Sequence, residues 1–311
     1  MSDAGTVEVA PLVFDLPEPP QVASAARKFG VFAWASIGWL SLLTLLAIFA
    51  PVLPIKDPNF GDFGKIGFSP LNGAGILGTD DLGRDVLSRL IWGTRSSLSI
   101  AVVSILFGTL VGGFLGLVAG YLGGRIGRII GAITDILLAF PALLLALTLV
   151  AVLSPVTDTN PATYFERWRT VVLSVGIVSV PILARITRAN ALQWSQREFV
   201  MAARAQGAKS FRVMMREVLP NVVPAMLSIA LLGIATVVIV EGGLAFFGVS
   251  ISPPDASWGN MISSQSDLLS SGQALQHVLF APSIAIFITV LSLNSLGDFV
   301  RRRFDVREAA I

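Results

Sequence analysis

The residue types that could do catalytic chemistry are scarce in this chain. It contains no cysteine and one histidine, His277, so disulfides, thiolate metal sites and a paired-histidine metal site are excluded. The dipeptide Gly64-Lys65 is followed by Ile66, whereas a phosphate-binding loop requires Gly-Lys-Ser or Gly-Lys-Thr. The sequence therefore predicts no catalytic residue, no metal site and no nucleotide site on this chain.

Two acidic residues interrupt otherwise apolar runs. These are Glu241 and Asp135, and an acid inside a membrane helix is costly and usually functional. Glu241 is predicted near the outer end of its helix, where two roles are open. It either belongs to an outer gate or pathway, with Trp258 as a second member, or it caps neighbouring backbone groups. For Asp135 the simpler prediction is an ion pair with Arg128.

A membrane bundle must position these side chains. Hydrophobic residues make up 54% of the 311 residues and charged residues only 14%, against roughly 25% charge in soluble domains. A helix needs about 20 apolar residues to cross a bilayer. Runs of this kind predict six membrane-spanning helices, at 29–55, 96–124, 129–154, 170–189, 221–248 and 278–297. The predicted fold class is an all-α polytopic membrane protein, with the lipid bilayer as its surroundings and no nucleic-acid partner.

Charge distribution predicts the orientation of the bundle. Lys and Arg near helix ends concentrate on the cytoplasmic side, and most of the 22 in this chain fall inside if both termini are cytoplasmic. The expected organisation is a disordered cytoplasmic tail (1–28), a first helix with an outer loop (29–95), a core transmembrane domain (96–300) with a cytoplasmic loop (195–220), and a cytoplasmic C-terminal tail (301–311).

Glycines recur every four residues in the second apolar run. On a helix this spacing forms one slowly winding groove in which another helix can approach the backbone closely. The simpler prediction is packing within the chain, and the alternative is contact with a second membrane subunit. The residues are Gly108, Gly112, Gly116, Gly120 and Gly124.

The 195–220 segment between the fourth and fifth runs is basic and amphipathic. Apolar residues occur in it at helical spacing, and Gly207 interrupts the pattern as a helix end and turn would. Two short helices at an angle are predicted, ending at Pro220 where the next span begins. Protein docking is the favoured role because the segment is broken and leads directly into a membrane helix. A helix lying on anionic lipid is the alternative.

Several residues of this segment resemble a family motif. Ala202-Ala203-Arg204-Ala205, Gly207 and Leu219-Pro220-Asn221 resemble the EAA loop of ABC-importer permeases, which forms a coupling helix in a groove of the ATP-binding subunit. Met201 stands where that family frequently has Glu, so docking is expected to depend on shape, apolar contact and arginines. The resemblance implies ATPase-coupling roles for Phe199, Met201, Ala202, Ala203, Arg204, Gly207, Ala208, Phe211, Leu219 and Pro220.

Three further stretches narrow the resemblance. Residues 77–98, 241–249 and 291–298 are similar to the C-type permease of dipeptide, oligopeptide and nickel importers. The resemblance implies the ABC type I importer permease (MetI-like) fold in a bacterial inner membrane. The implied partners are a homologous B-type permease, two ATP-binding subunits or one fused ATPase, and an extracytoplasmic solute-binding protein. ATP and Mg would be bound in the partner subunits, and this chain would bind no cofactor.

The resemblance does not specify which solute is transported. Di- or oligopeptides are the expected substrate, and nickel chelates or another small solute are the alternative. An ion-coupled secondary transporter is a distant alternative, since such proteins place acids near the bilayer midplane and show internal repeats. Neither feature is evident in this sequence.

Overall fold

The computed structural model describes residues 30–73, 75–154, 163–266, 268 and 275–305. The predicted N-terminal tail (1–28) lies outside these residues, as does most of the predicted C-terminal tail. Residues 301–305 of that tail continue the last helix.

Helices account for most of the described chain. They are α1 (Val31–Phe49), α2 (Val86–Leu122), α3 (Gly124–Leu138), α4 (Ala142–Leu153), α5 (Tyr164–Ser195), α6 (Glu198–Ala205), α7 (Ser210–Val213), α8 (Leu219–Phe246), α9 (Trp258–Ser263) and α10 (Gln276–Asp305). Short 3₁₀ turns cover Ala50–Val52 and Phe63–Lys65, and a π-helical turn, Met214–Val218, joins α7 to α8.

Membrane-spanning helices form the body of the molecule. Five stretches are long and apolar enough to cross a bilayer, and α3 with α4 completes six if this pair, bent by 91°, is one span. The bend falls at Pro141, which precedes α4, because proline lacks an N–H and restricts the residue before it. The all-α, six-span prediction is confirmed. The five stretches are Val31–Val52, Val86–Leu122, Tyr164–Ser195, Ser210–Phe246 and Gln276–Arg302.

Two helices are longer than the apolar runs that predicted them. α2 begins at Val86, not at Ser96, because the Asp85 side chain accepts a hydrogen bond from the Ser88 amide at 2.9 Å and caps the helix. The run at 170–189 is the interior of a 32-residue helix, α5, with Pro181 inside it. Local capping and tertiary contacts therefore set the helix ends, and apolarity alone does not.

The core lies where α2, α5 and α8 meet. Its buried members include Ile100, Val175, Val237 and Leu244. α2 packs most extensively on α5, and α8 packs on both α2 and α10. Near the middle of α8, the Ser228 hydroxyl donates to the Gly297 carbonyl of α10 at 2.8 Å. A buried hydroxyl needs such a partner, so this contact fixes α8 against α10.

The glycine repeat faces α5 of the same chain over most of its length. A Cβ added at Gly112 or at Gly120 would lie 2.5 Å from the carbonyl oxygen of Val180 or Arg188, respectively. Gly108 and Gly116 meet the same helix. The prediction that the groove includes Gly124 is wrong, because α2 ends at Leu122. Gly124 starts α3 with φ +55° and has no neighbour within 4 Å of an added Cβ.

Candidate functional site

The 195–220 segment and residues 50–85 lie at opposite ends of the bundle. α2 connects them: the Ser88 hydroxyl near its start donates to the Lys56 carbonyl, and Tyr121 near its end lies 4.6 Å from the Arg204 guanidinium. A helix of 37 residues is about 55 Å long. The two ends are therefore separate sites.

The turn at Gly207 has left-handed backbone geometry. Its φ is +83°, a conformation that glycine adopts at no steric cost. The turn is closed by two bonds, from the Gly207 amide to the Arg204 carbonyl at 2.9 Å and from the Ala208 amide to the Ala203 carbonyl at 3.2 Å. This pattern ends α6, as the sequence predicted for Gly207.

The second predicted short helix is not a separate element. α7 continues through the π-helical turn into α8, so that Ser210–Phe246 is one helical stretch. Pro220 does not end the segment but lies directly after the π-helical turn, at the start of α8, where it lacks the N–H for one intrahelical hydrogen bond. The 195–220 segment is thus one short helix, one turn and the start of a membrane helix.

One face of this segment packs on the bundle. Val200, Val213, Met214 and Val218 are buried in a cluster with Leu117 and Val222 of the membrane helices. Arg204 lies over the Tyr121 ring, and Arg197 lies over the Trp194 ring at 5.3 Å. These cation–π contacts and the buried valines hold the segment in a fixed position.

The other face is exposed and carries most of the predicted coupling residues. Phe199, Met201 and Phe211 are 40%, 53% and 68% exposed. Ala202, Arg204, Gly207 and Pro220 are exposed as well, whereas Ala203, Ala208 and Leu219 are half-buried. Large exposed apolar side chains in a basic segment form a surface suited to a protein partner. Sequence spacing identified the apolar residues, but it did not divide them between the two faces.

Glu241 and Trp258 meet in a buried hydrogen-bonded node at the opposite end. Both residues are fully buried. The Glu241 carboxyl group accepts from the Ser97 hydroxyl at 3.1 Å and from the Ser250 hydroxyl at 2.8 Å. The Trp258 amide donates to the Ser97 oxygen at 3.1 Å, and its indole N–H donates to the Leu90 carbonyl at 3.1 Å. The node therefore joins α2, α8 and α9.

Sequence reasoning did not find the two serines of this node. A buried carboxyl group requires donors, and hydroxyls in apolar segments are the obvious source. The sequence contains many such serines, so only the tertiary fold selects Ser97 and Ser250. This is why the partners of Glu241 were not predictable.

Asp135 does not pair with Arg128 as predicted. The Arg128 side chain donates to the Gly124 carbonyl at 3.3 Å. Asp135 instead lines a cavity of about 200 Å³ together with Arg185 and Arg188 of α5. Because α3 packs against α5, Asp135 faces the arginines of that helix and not Arg128.

The described residues of the 50–85 range form a structured segment. Arg84 and Asp80, both buried, form an ion pair at 2.7 Å. The Thr79 hydroxyl donates to the Lys65 carbonyl, and the His277 ring of α10 lies 2.9 Å from the Thr79 carbonyl. At the surface, hydrogen bonds from Lys65 and a backbone amide lower the pKa of Asp62. The segment is therefore fixed to the end of the bundle.

Fold and charge distribution together define a class: a polytopic, all-α membrane protein with a structured, basic and partly apolar surface at one end. Comparison with known proteins gives the family. Residues 112–309 match the family described as "Binding-protein-dependent transport system inner membrane component". The chain belongs to this family, and it is a permease component of ABC importers.

The chain is similar to known permeases over most of its length and over most of theirs. The chain is 36% identical over 266 residues to the "Glutathione transport system permease protein GsiD" of Pectobacterium atrosepticum, covering 85% of this chain and 83% of that protein. It is 36% identical over 272 residues to the "Di/tripeptide transport system permease protein DppC" of Pseudomonas aeruginosa, covering 86% and 85%.

A solved structure shares the fold. It is titled "Inward facing conformations of the MetNI methionine ABC transporter", and it is similar with a TM-score of 0.57 at 20% identity. The match covers 70% of this chain and 97% of the other. This confirms the fold that the sequence motifs implied.

Proposed function

We propose that this chain is the translocation subunit of an ATP-driven importer that takes up di- or oligopeptides. The observation that carries the coupling role is the exposed face of the 195–220 segment, where Phe199, Met201 and Phe211 stand among basic residues. The cargo is supported by relatives whose names specify di- and tripeptides and glutathione, since glutathione is itself a short peptide.

The proposed assembly contains four kinds of subunit. A homologous B-type permease pairs with this chain about a pseudo-twofold axis, and two ATP-binding subunits, or one fused ATPase, contact the 195–220 segment. A solute-binding protein delivers the peptide at the opposite end. ATP and Mg belong to the ATPase, and this chain has no catalytic role. The proposed location is the bacterial inner membrane with both termini cytoplasmic, because the 195–220 end is the basic one.

The proposed mechanism is alternating access. A ligand shifts a conformational equilibrium only if it binds the two states with different free energies. The ATPase would supply that difference through Phe211 and its neighbours. Because Ser210–Phe246 is one helical stretch, displacement of the docking surface is transmitted directly to the membrane helix that carries Glu241.

The packing residues have a supporting role in this proposal. Gly112 and the other glycines that face α5 keep α2 and α5 together as one rigid unit. Glu241 and Trp258 join the ends of the moving helices away from the ATPase. In this proposal they hold the end of the pathway in shape and do not contact the solute.

A paired substitution tests the docking surface. In proteoliposomes that contain the assembled importer, Met201→Ala with Phe211→Ala should abolish ATP-dependent uptake of a labelled dipeptide. Association with the ATPase should weaken about tenfold or more, because exposed aromatic residues dominate docking energies. Phe63→Ala is the matched control for association with the ATPase, since Phe63 is 76% exposed at the opposite end. Unchanged uptake in the double variant would contradict the proposal, as would peptide uptake by this chain alone without ATP.

A further inference from the structure

A cavity of about 620 Å³ opens at the end of the bundle that carries residues 50–85. Its walls come from the end of α1, the residues that follow it, the starts of α2 and α5, and the loop before α9. Cavities of ~300–1,000 Å³ are typical of small-molecule sites. The side chains that give this one its chemistry are Lys56, Asp57, Trp92, Arg95, Tyr164 and Asp255.

The walls of the cavity are held from behind by buried hydrogen bonds. Arg89 is only 3% exposed, and its guanidinium donates to the carbonyls of Pro58 and Pro254, each at 3.0 Å. Pro58 lines the cavity and Pro254 directly precedes Asp255, which also lines it, so Arg89 joins two of the loop segments that form the walls. On the third side, Ser96 and Tyr164 are joined by a hydroxyl contact at 3.2 Å. The cavity is therefore preformed.

The cavity is lined by equal numbers of positively and negatively charged side chains. Lys56 and Arg95 supply two positive groups, and Asp57 and Asp255 supply two negative ones. Lys56 lies 3.4 Å from Asp85 at the rim. In the described part of the chain, neither Arg95 nor Asp255 takes part in an ion pair. Two charged groups of opposite sign are thus available to a ligand.

Two aromatic rings line the cavity together with the charged residues. The Arg95 guanidinium lies 5.7 Å from the centroid of the Trp92 ring, and the half-exposed Tyr164 ring lines the same cavity. A guanidinium stacked on an aromatic ring remains able to bind a carboxylate through its N–H groups. Aromatic faces provide contact area for an apolar side chain.

We infer that this cavity binds a short peptide through its free termini. Arg95 receives the C-terminal carboxylate, Asp255 receives the N-terminal ammonium group, and Trp92 and Tyr164 contact a side chain of the peptide. The inference rests on the proposed function and extends it, because it places a solute site within this single subunit. It makes the cavity a receiving site for peptide released at this end.

A zwitterionic lipid headgroup carries the same pair of charges. Arg95 directly precedes the uncharged run that begins at Ser96, and Asp255 follows the apolar run that ends at Gly248, so both residues lie near the membrane surface, where peptide and headgroup both have access. The rings of Trp92 and Tyr164 favour the peptide, because they offer contact to an apolar side chain, which a headgroup lacks. The experiment distinguishes the two sources directly.

Equilibrium dialysis of the purified full chain tests the site. The chain is held in nanodiscs of phosphatidylglycerol, whose headgroup carries no ammonium group, and the probe is radiolabelled alanyl-phenylalanine. Saturable binding is expected, with a Kd raised about tenfold or more by Arg95→Gln and by Asp255→Asn, because each removes a charge-assisted hydrogen bond. The matched control is Arg125→Gln, which removes an exposed arginine at the other end of the bundle. N-acetyl-alanyl-phenylalanine amide, which lacks both charges, should not compete.

Each outcome decides the inference. Absence of saturable binding overturns it, and so does equal binding by the wild-type chain and Arg95→Gln. Displacement of the peptide when phosphatidylethanolamine replaces part of the lipid assigns the cavity to a headgroup and also overturns it. Uptake by the assembled importer is measured in parallel. If the importer takes up peptide while the cavity does not bind it, only the site fails. If Arg95-dependent binding occurs without uptake, the site stands and the proposed cargo fails.

Discussion

At the scale of residues, Glu241 shows how a carboxyl group is accommodated inside a membrane helix. Burial removes it from water, which is costly unless hydrogen bonds replace the lost solvation. The hydroxyls of Ser97 and Ser250 provide those bonds, and Ser97 also accepts from the Trp258 amide. Glu241 is therefore the centre of a hydrogen-bonded network that joins α2, α8 and α9. This structural role explains why an acidic residue lies in an apolar run, and it requires no contact between Glu241 and the solute.

Replacing Glu241 with leucine should destabilise the protein markedly. The Ser97 and Ser250 hydroxyls would lose their acceptor, and an unsatisfied buried polar group costs ~1–3 kcal/mol. Glu241→Gln should have a smaller effect, because the amide group can accept from one hydroxyl and donate to the other. The measurement is the midpoint of thermal unfolding of the purified protein in detergent.

Glu198→Leu is the control for this comparison, because Glu198 is exposed at the start of α6. Its unfolding midpoint should remain near that of the unmodified chain. A midpoint for Glu241→Leu equal to that of the control would contradict the role of the node.

At the scale of elements, the contact between α2 and α5 depends on missing side chains. Along α2, glycines let the backbone of α5 approach so closely that an added Cβ at Gly112 would lie 2.5 Å from the Val180 carbonyl oxygen. Helix association in lipid gains little from the hydrophobic effect and relies on close packing. The two helices thus form the rigid part of the bundle.

Gly112→Ala should weaken this contact. The methyl group must displace α5, and overpacking of a well-packed core costs ~1–3 kcal/mol. We expect a lower thermal midpoint and a lower yield of monodisperse protein on size-exclusion chromatography. Gly242→Ala is the matched control, because a Cβ added at Gly242 meets nothing within 4 Å. Equal behaviour of the two alanine variants would show that α2 and α5 do not require the glycines.

The elements were predictable to different degrees. Charge-free runs located the spans because a helix in lipid must be apolar along its length. The start of α2 at Val86 was not predictable, since it depends on the cap at Asp85 and on the contacts of Arg89 with Pro58 and Pro254. A proline such as Pro141 favours a bend, but the size of this bend, 91°, depends on the packing of α3 and α4 against α5.

At the scale of the whole molecule, the proposed orientation places residues 50–85 outside and the 195–220 segment inside. The family motifs and the basic residues support this orientation, and the structure supports the separation of the two ends through α2. Because the chain contains no cysteine, single cysteines can report each end without removal of native thiols.

Cysteine labelling tests this orientation. Asn72 and Gln206 are both exposed, at opposite ends of the bundle. In cells, a membrane-impermeant maleimide should label Asn72→Cys directly and should label Gln206→Cys only after the inner membrane is permeabilised, because a charged reagent cannot cross the apolar core. The reverse labelling pattern would contradict the proposed orientation, because it would place the ATPase-docking surface outside the cell.

The contact between Ser228 and Gly297 has a mechanical consequence. It holds the helical stretch Ser210–Phe246 near its middle. About 27 Å of helix extends from this contact in each direction, so a rotation about the contact moves both ends of the stretch. A tilt of about 5° moves each tip by roughly 2 Å, and the two tips move in opposite directions. Phe211 stands near one tip and Glu241 near the other. In the proposed mechanism, a displacement of Phe211 by the ATPase would therefore move Glu241 in the opposite direction.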